Sequence, residues 1–115
     1  MDAYMTRLNS LINEPVDWDG NGAESPNEVS VSNGRRVLGI LNEMAFEPTG
    51  VAPSAEGGVG ISFVRGNKYA DIECFNSGEL WAVVSDRVHT PDVWRVEVST
   101  IRASLEKIRE HVQPA

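Results

Sequence analysis

The sequence predicts a single α+β domain, with helices laid on one face of an antiparallel β-meander. Three observations carry this reading. Between residues 59 and 85, three short segments alternate apolar and polar side chains, separated by the turn signals Gly66-Asn67 and Asn76-Ser77-Gly78. On either side, apolar residues recur every three to four positions, the spacing of amphipathic helices. With 115 residues, 41% of them apolar, the chain has the size of one domain and enough apolar surface for its own core. The expected order is α-α-β-β-β-α, with extra short strands at 51–54 and 93–97, so three to five strands in all. Two helices precede the meander and one follows it.

The first helix starts at the capping residue Asp2 and carries Tyr4, Met5, Leu8, Leu11 and Ile12 on one stripe. Pro15 ends it, because a residue before proline is driven out of helical angles. Residues 14–30 form a loop centred on Trp18-Asp19-Gly20-Asn21-Gly22-Ala23. Ser25-Pro26-Asn27-Glu28 has the form of a capping box with proline at the first helical position. The following Val29, Ser30, Val31, Ser32, Asn33 and Gly34 are poor helix formers, so a turn is expected there, with the second helix capped by Ser30 or Ser32. That helix buries Val37, Leu38, Ile40, Leu41 and Met44 and is closed by Pro48 and Gly50. Pro53 suits an edge strand.

In the meander, Val59, Ile61 and Phe63 alternate with Gly60 and Ser62, and Ala70, Ile72 and Cys74 alternate with Tyr69, Asp71 and Glu73. The third strand runs from Leu80 to Ser85. If helices cover one side of the sheet, Trp81 and Val83 point to the other. The last helix is read from Val98, Ile101, Leu105, Ile108 and Val112, with Glu106, Lys107, Arg109 and Glu110 on its exposed side.

Net charge is −7, and it is unevenly spread. Residues 1–57 hold nine acids and three bases, whereas residues 58–115 hold eight acids and seven bases. An acidic surface repels phosphate backbones, which disfavours direct nucleic-acid binding and favours a basic partner. Cys74, the only cysteine, reads as a small buried hydrophobe on a strand. No apolar signal segment follows Met1-Asp2-Ala3 and no run approaches membrane-spanning length, so a cytoplasmic chain without membrane attachment is expected.

Candidate chemistry is sparse. Asp17, Asp19 and Glu24 are oxygen ligands close in sequence, yet their spacing does not form an EF-hand loop. Asp19 is better placed to accept backbone N–H groups of its own loop, and Gly20 and Gly22 to supply positive φ. Trp18 reads as a packing plug between two helices. His89 and Asp92, flanked by Arg87 and Arg95, have the types for acid–base work, but no nucleophile is placed near them. His111 sits in the last helical turn, where its charge favours the dipole. No catalytic residue, metal ligand or cofactor site is assigned. The candidate interaction residues are Tyr69, Trp81 and Trp94, whose exposure on a sheet face would make an interaction surface.

The stretch Trp18-Asp19-Gly20-Asn21-Gly22-Ala23, followed by a helix, a proline-containing segment and Glu56-Gly57-Gly58-Val59-Gly60-Ile61-Ser62-Phe63, resembles a group of small bacterial proteins of unknown function. That group carries a Trp-Asp-Gly-x-Gly-Ala loop after a short helix. Here Phe63 replaces its usual tryptophan and Asn21 its common aromatic. The resemblance covers roughly residues 8–86, and only the six-residue loop is specific. It implies a non-enzymatic accessory protein, in some cases of mobile or toxin–antitoxin-like systems, and supplies no mechanism.

The expected function is therefore a non-catalytic protein-binding or accessory module of a bacterial or phage system. It would act through an acidic surface and an aromatic sheet face, on a basic partner or on a second copy as a homodimer. Two alternatives remain: a cation-dependent hydrolase using Asp17, Asp19, Glu24 and His89, and an acidic mimic of nucleic acid that inhibits a nucleic-acid-binding protein.

Overall fold

The computed structural model describes residues 2–15 and 19–113. Five strands form one antiparallel sheet in sequential order: β1 (Gly50–Ser54), β2 (Gly58–Arg65), β3 (Lys68–Phe75), β4 (Leu80–Ser85) and β5 (Asp92–Val96). Both short outer strands expected from the sequence are present. Three helices, α1 (Asp2–Ser10), α2 (Glu28–Glu43) and α3 (Ile101–Val112), cover one side of this sheet.

Side chains alternate across the pleat, so the register sorts residues into rows on two faces. Towards the helices, Val51, Ile61, Ile72, Ala82 and Trp94 form one row, and Val59, Cys74, Leu80 and Val96 the next. These meet Leu8, Leu11, Val31, Leu38, Leu41, Leu105 and Ile108 in a single core. Phe63 stacks on Phe46 with ring centroids 5.0 Å apart, joining the sheet to the segment after α2.

Three boundaries differ from the sequence reading. The second helix begins at Glu28, earlier than a Ser30 or Ser32 cap allows. Asn27 is the cap: its side chain accepts from the Ser30 N–H at 2.9 Å, and the Ser30 hydroxyl accepts from the Asn27 N–H at 3.1 Å. Asn27 is held in turn by Asn76, 49 residues away, whose Oδ1 accepts the same N–H at 2.9 Å. Gly34, a poor helix former, is kept by packing, since a Cβ there would lie 2.9 Å from Leu8 Cδ1. It lets α1 press onto α2.

The same helix ends at Glu43, before Pro48 and Gly50. The Phe46 N–H donates to the Leu41 carbonyl at 3.0 Å and the Ala45 N–H to the Asn42 carbonyl at 3.1 Å. This is a Schellman close, with Ala45 at φ 54° in the position glycine usually takes. At the C-terminal end, Val98 belongs to a separate 3₁₀ turn (Val98–Thr100) and is exposed, so α3 starts only at Ile101. The first helix relaxes into a 3₁₀ turn over Leu11–Asn13, and Glu14 is extended before Pro15, as proline demands.

Candidate functional site

The side of the sheet away from the helices carries the most distinctive chemistry among the described residues. Its central row runs Ala52, Gly60, Glu73, Trp81 and Arg95, and the next runs Gly50, Ser62, Asp71, Val83 and Val93. Gly60 contributes no side chain, and the Glu73 carboxylate occupies that space: a Cβ on Gly60 would lie 3.2 Å from Oε2. Trp81 flanks Glu73 on β4. A groove of ≈520 Å³ opens over Asp71, Glu73, Trp81 and Val83, with Val93, Phe75, Glu56 and Glu79 at its borders. An adjoining depression shares Phe75, Glu56 and Glu79 and adds Glu24. Glu24 and Glu56 of the acidic N-terminal half thus border the aromatic sheet face.

The electrostatics of this groove are unusual for a sheet face. Burial is the main cause that pushes Glu73 up to about 7, and nearby Asp71 and Glu56 add to it, while a Ser54 hydrogen bond opposes the shift. Asp71 is also raised, chiefly by burial, against a hydrogen bond from Tyr69. The Tyr69 hydroxyl donates to Asp71 Oδ2 at 2.6 Å, and burial followed by this bond holds the phenol well above its usual range. Asp71 Oδ1 and Glu73 Oε2 are each sealed from solvent without a hydrogen-bond partner. Among the described residues, the groove lining holds four carboxylates and no Lys or Arg. Arg95 lies at the rim, engaged with Glu79 at 3.4 Å and Glu97 at 3.8 Å.

A pH effect on stability follows. The Glu73 carboxyl is raised from 4.5 to about 7 in the fold, so ionising it opposes folding. Its contribution is most favourable below pH 4.5, declines as pH rises towards about 7 and is constant above that. Asp71 acts in the same direction. Denaturant unfolding at about pH 5 and about pH 8 should show the wild-type chain losing about 1–2 kcal/mol through Glu73, water at the groove mouth screening the remainder. In Glu73→Gln that share of the loss disappears; parallel pH profiles for the two proteins would refute the assignment.

The other residues singled out from the sequence lie elsewhere. Trp94 faces the helices: its indole N–H donates to Ser104 Oγ at 3.0 Å, and Lys107 Nζ sits 4.0 Å from the ring centroid. Its place in the row with Ala82 puts it on the covered side, so it clasps β5 to α3 and does not join Tyr69 and Trp81. In the loop motif, Asp19 Oδ1 accepts the Asn21 N–H at 2.9 Å and the Ala23 N–H at 3.2 Å, the expected Asx arrangement. Gly20 and Gly22 have φ of 75° and 85°. Asp17 and Trp18 lie outside the described residues.

His89 is not paired with Asp92. Its Nδ1 lies 2.6 Å from Asp86 Oδ2, while Asp92 meets Lys107 at 3.2 Å. Hydrogen bonds from the His89 side chain and from the His89 and Val88 N–H groups hold Asp86 well below the usual carboxylate range. His111 Nε2 is 2.9 Å from the Ser85 carbonyl. Burial, with Glu73 adding, pushes the Cys74 thiol up to about 12, which leaves it an inert core group. Among the described residues no three of His, Cys, Asp or Glu gather in a metal-holding group. Of the residues of the cation-dependent hydrolase alternative, Asp19 is turned into its own loop and His89 onto Asp86.

Asp71, Glu73 and Glu79 carry no motif that marks them in the sequence, and the segment that begins at Glu56 assigns that residue no role. The alternation of β3 does place Asp71 and Glu73 opposite the buried Ala70, Ile72 and Cys74. Putting them beside Trp81 requires the strand register. Asn76 reads from the sequence only as a turn residue. In the fold it ties three segments together, donating its backbone N–H to the Gly57 carbonyl and its Nδ2 to the Ser25 carbonyl while accepting from Asn27. Among the described residues no helix is long and apolar enough to cross a membrane. The chain matches no protein-family model, no curated protein and no solved structure.

Proposed function

We propose that this chain is a non-catalytic protein-binding module whose partner docks on the open face of the sheet. The observation that carries the reading is the centre of that face, left open by the described residues, where Trp81 lies with Val83 and Val93 in a groove bordered by carboxylates. A half-buried tryptophan surrounded by smaller apolar groups and a polar rim is the composition of a binding hot spot.

Self-association through this face is disfavoured by charge. A two-fold contact sets a patch against its own copy, so Asp71, Glu73, Glu56 and Glu79 would meet the same four carboxylates. A partner of opposite sign avoids that repulsion. The nucleic-acid-mimic reading shares this surface and differs only in its partner, a nucleic-acid-binding protein whose docking would be competed by DNA or RNA.

The test is capture of partners from the native cell by the wild-type chain, by Trp81→Ala and by Arg36→Ala on α2, remote from the groove. A partner held by the wild type and Arg36→Ala should bind Trp81→Ala about 30-fold more weakly, the loss typical of a hot-spot residue. Equal binding to all three proteins would refute the reading.

A further inference from the structure

We infer that the open sheet face is a docking surface for an arginine-bearing segment of the protein partner, its guanidinium groups lying against the Trp81 indole within reach of Glu73 and the neighbouring carboxylates; this rests on the binding function proposed above.

Charge complementarity selects the occupant. A purely apolar groove would suit a hydrophobic helix, but here the apolar patch is interleaved with four carboxylates, and among the described residues its lining contains no Lys or Arg. Two of these, Asp71 and Glu73, stand on the sheet floor, each with one oxygen sealed off and unpartnered. Half-burying adjacent carboxylates without a counter-charge opposes folding, and an incoming cation relieves that repulsion. Phosphate-bearing partners, nucleic acid or an anionic membrane, would increase it.

The geometry further favours guanidinium over ammonium. Glu73 and Trp81 are cross-strand neighbours in one row and both line the groove, with the Glu73 carboxylate leaning over Gly60. A planar guanidinium can stack on the ring while directing N–H donors at the carboxylate, and it sheds water more readily than an ammonium. The rim shows the same pairing within the chain, where Arg95, the next residue in that row, reaches Glu79 and Glu97.

Docking by this means depends on pH through Glu73. The charged and titratable groups around it are Asp71 and Tyr69 on its own strand, Glu56 in the β1–β2 hairpin, Glu79 before β4, Arg95 on β5 and, over the Tyr69 ring, Arg87 after β4. Arg95 and Arg87 are the cations in that set; Arg95 is engaged with Glu79 and Glu97, and Arg87 lies over the Tyr69 ring. Protonating Glu73 therefore removes attraction for an arginine without freeing a competing cation.

The experiment is an NMR titration of the ¹⁵N-labelled full chain with three peptides: acetyl-Arg-Gly-Arg-Gly-Arg-amide and its Lys and Glu counterparts. At low salt and about pH 8 the arginine peptide should shift the amides of Gly60, Glu73, Trp81, Val83 and Val93. The lysine peptide should bind at least about threefold more weakly, and the glutamate peptide should leave the spectrum unchanged. Glu73→Gln, and separately a fall to about pH 5.5, should each weaken arginine-peptide binding by about 10-fold. Glu56→Gln, in an exposed hairpin, provides a second variant with the same expected direction should Glu73→Gln perturb the fold.

Equal affinity for the arginine and lysine peptides, shifts scattered over α1–α3, or unchanged binding in both variants would overturn the inference. Such a result would leave the binding function standing if a captured partner still required Trp81. A captured partner indifferent to Trp81→Ala would remove that function itself.

Discussion

Replacing Gly58 by alanine should cost about 4 kcal/mol and bring the chain close to the limit of stability of a domain this size. Gly58 opens β2 at φ +146°, a backbone region that side chains rarely enter. An added Cβ would stand 2.1 Å from the Cys74 carbonyl oxygen and 2.8 Å from Phe75 Cα. Both obstacles are backbone of the central strand, so they cannot swing aside as a side-chain tip would. Relief requires parting β2 from β3 at the Gly58–Phe75 pair. That also strains the neighbouring Asn76 N–H bond to the Gly57 carbonyl, and the Oδ1 of the same Asn76 holds the cap of α2. Thermal unfolding should show a fall of about 16 °C, at roughly 4 °C per kcal/mol for this chain length. A change of under about 4 °C would mean that the hairpin relaxes at little cost.

Phe63→Ala should be nearly as damaging, at about 3–5 kcal/mol. The ring is 1% exposed and stacked on Phe46 at 5.0 Å, between β2 and the close of α2. Its cross-strand neighbour is Ala70, too short to fill the space the ring would leave. The cavity would open under Phe46, whose backbone N–H completes the Schellman close on Leu41. Loss of the stack should therefore fray the end of α2 as well as lower stability. Denaturant unfolding measures the stability loss, and amide exchange at residues 41–46 measures the fraying. A cost below about 1.5 kcal/mol would show that the core collapses around the missing ring.

The two substitutions mark where local reasoning succeeds and where it stops. Phe63 is legible as core from the Val59, Ile61, Phe63 alternation alone. Gly58 is not: its φ of +146° and the backbone of Cys74 and Phe75 facing it make it irreplaceable, and the pairing with β3 sets that backbone against it. The start of α2 fails in the same way. Val29 to Gly34 are weak helix formers in isolation. A cap held by Asn76 from 49 residues away and the seating of Leu8 on Gly34 outweigh that preference.

In the candidate site the division falls at register. Period-two patterning places Trp81, Asp71 and Glu73 on the face opposite the core strand residues, because side-chain direction in a strand depends on the pleat alone. Trp94 shows the limit, since its side is set by the pairing of β5 with β4, which puts it beside Ala82 and under α3. His89 shows it again: Asp86, three residues before it, and not Asp92, receives the imidazole.

The meander, its two turns, the helical cover, the Asx role of Asp19 and the acidic imbalance of the N-terminal half are all written in the order of residues. Each depends on alternation, turn chemistry or composition, which act over a few residues or over the chain as a whole. Folding alone brings Glu73 over Gly60 beside Trp81, and joins Glu56, Glu79 and Glu24 to that surface. Desolvation and proximity raise Glu73 and Asp71, and both exist only once strands distant in sequence are locked in register.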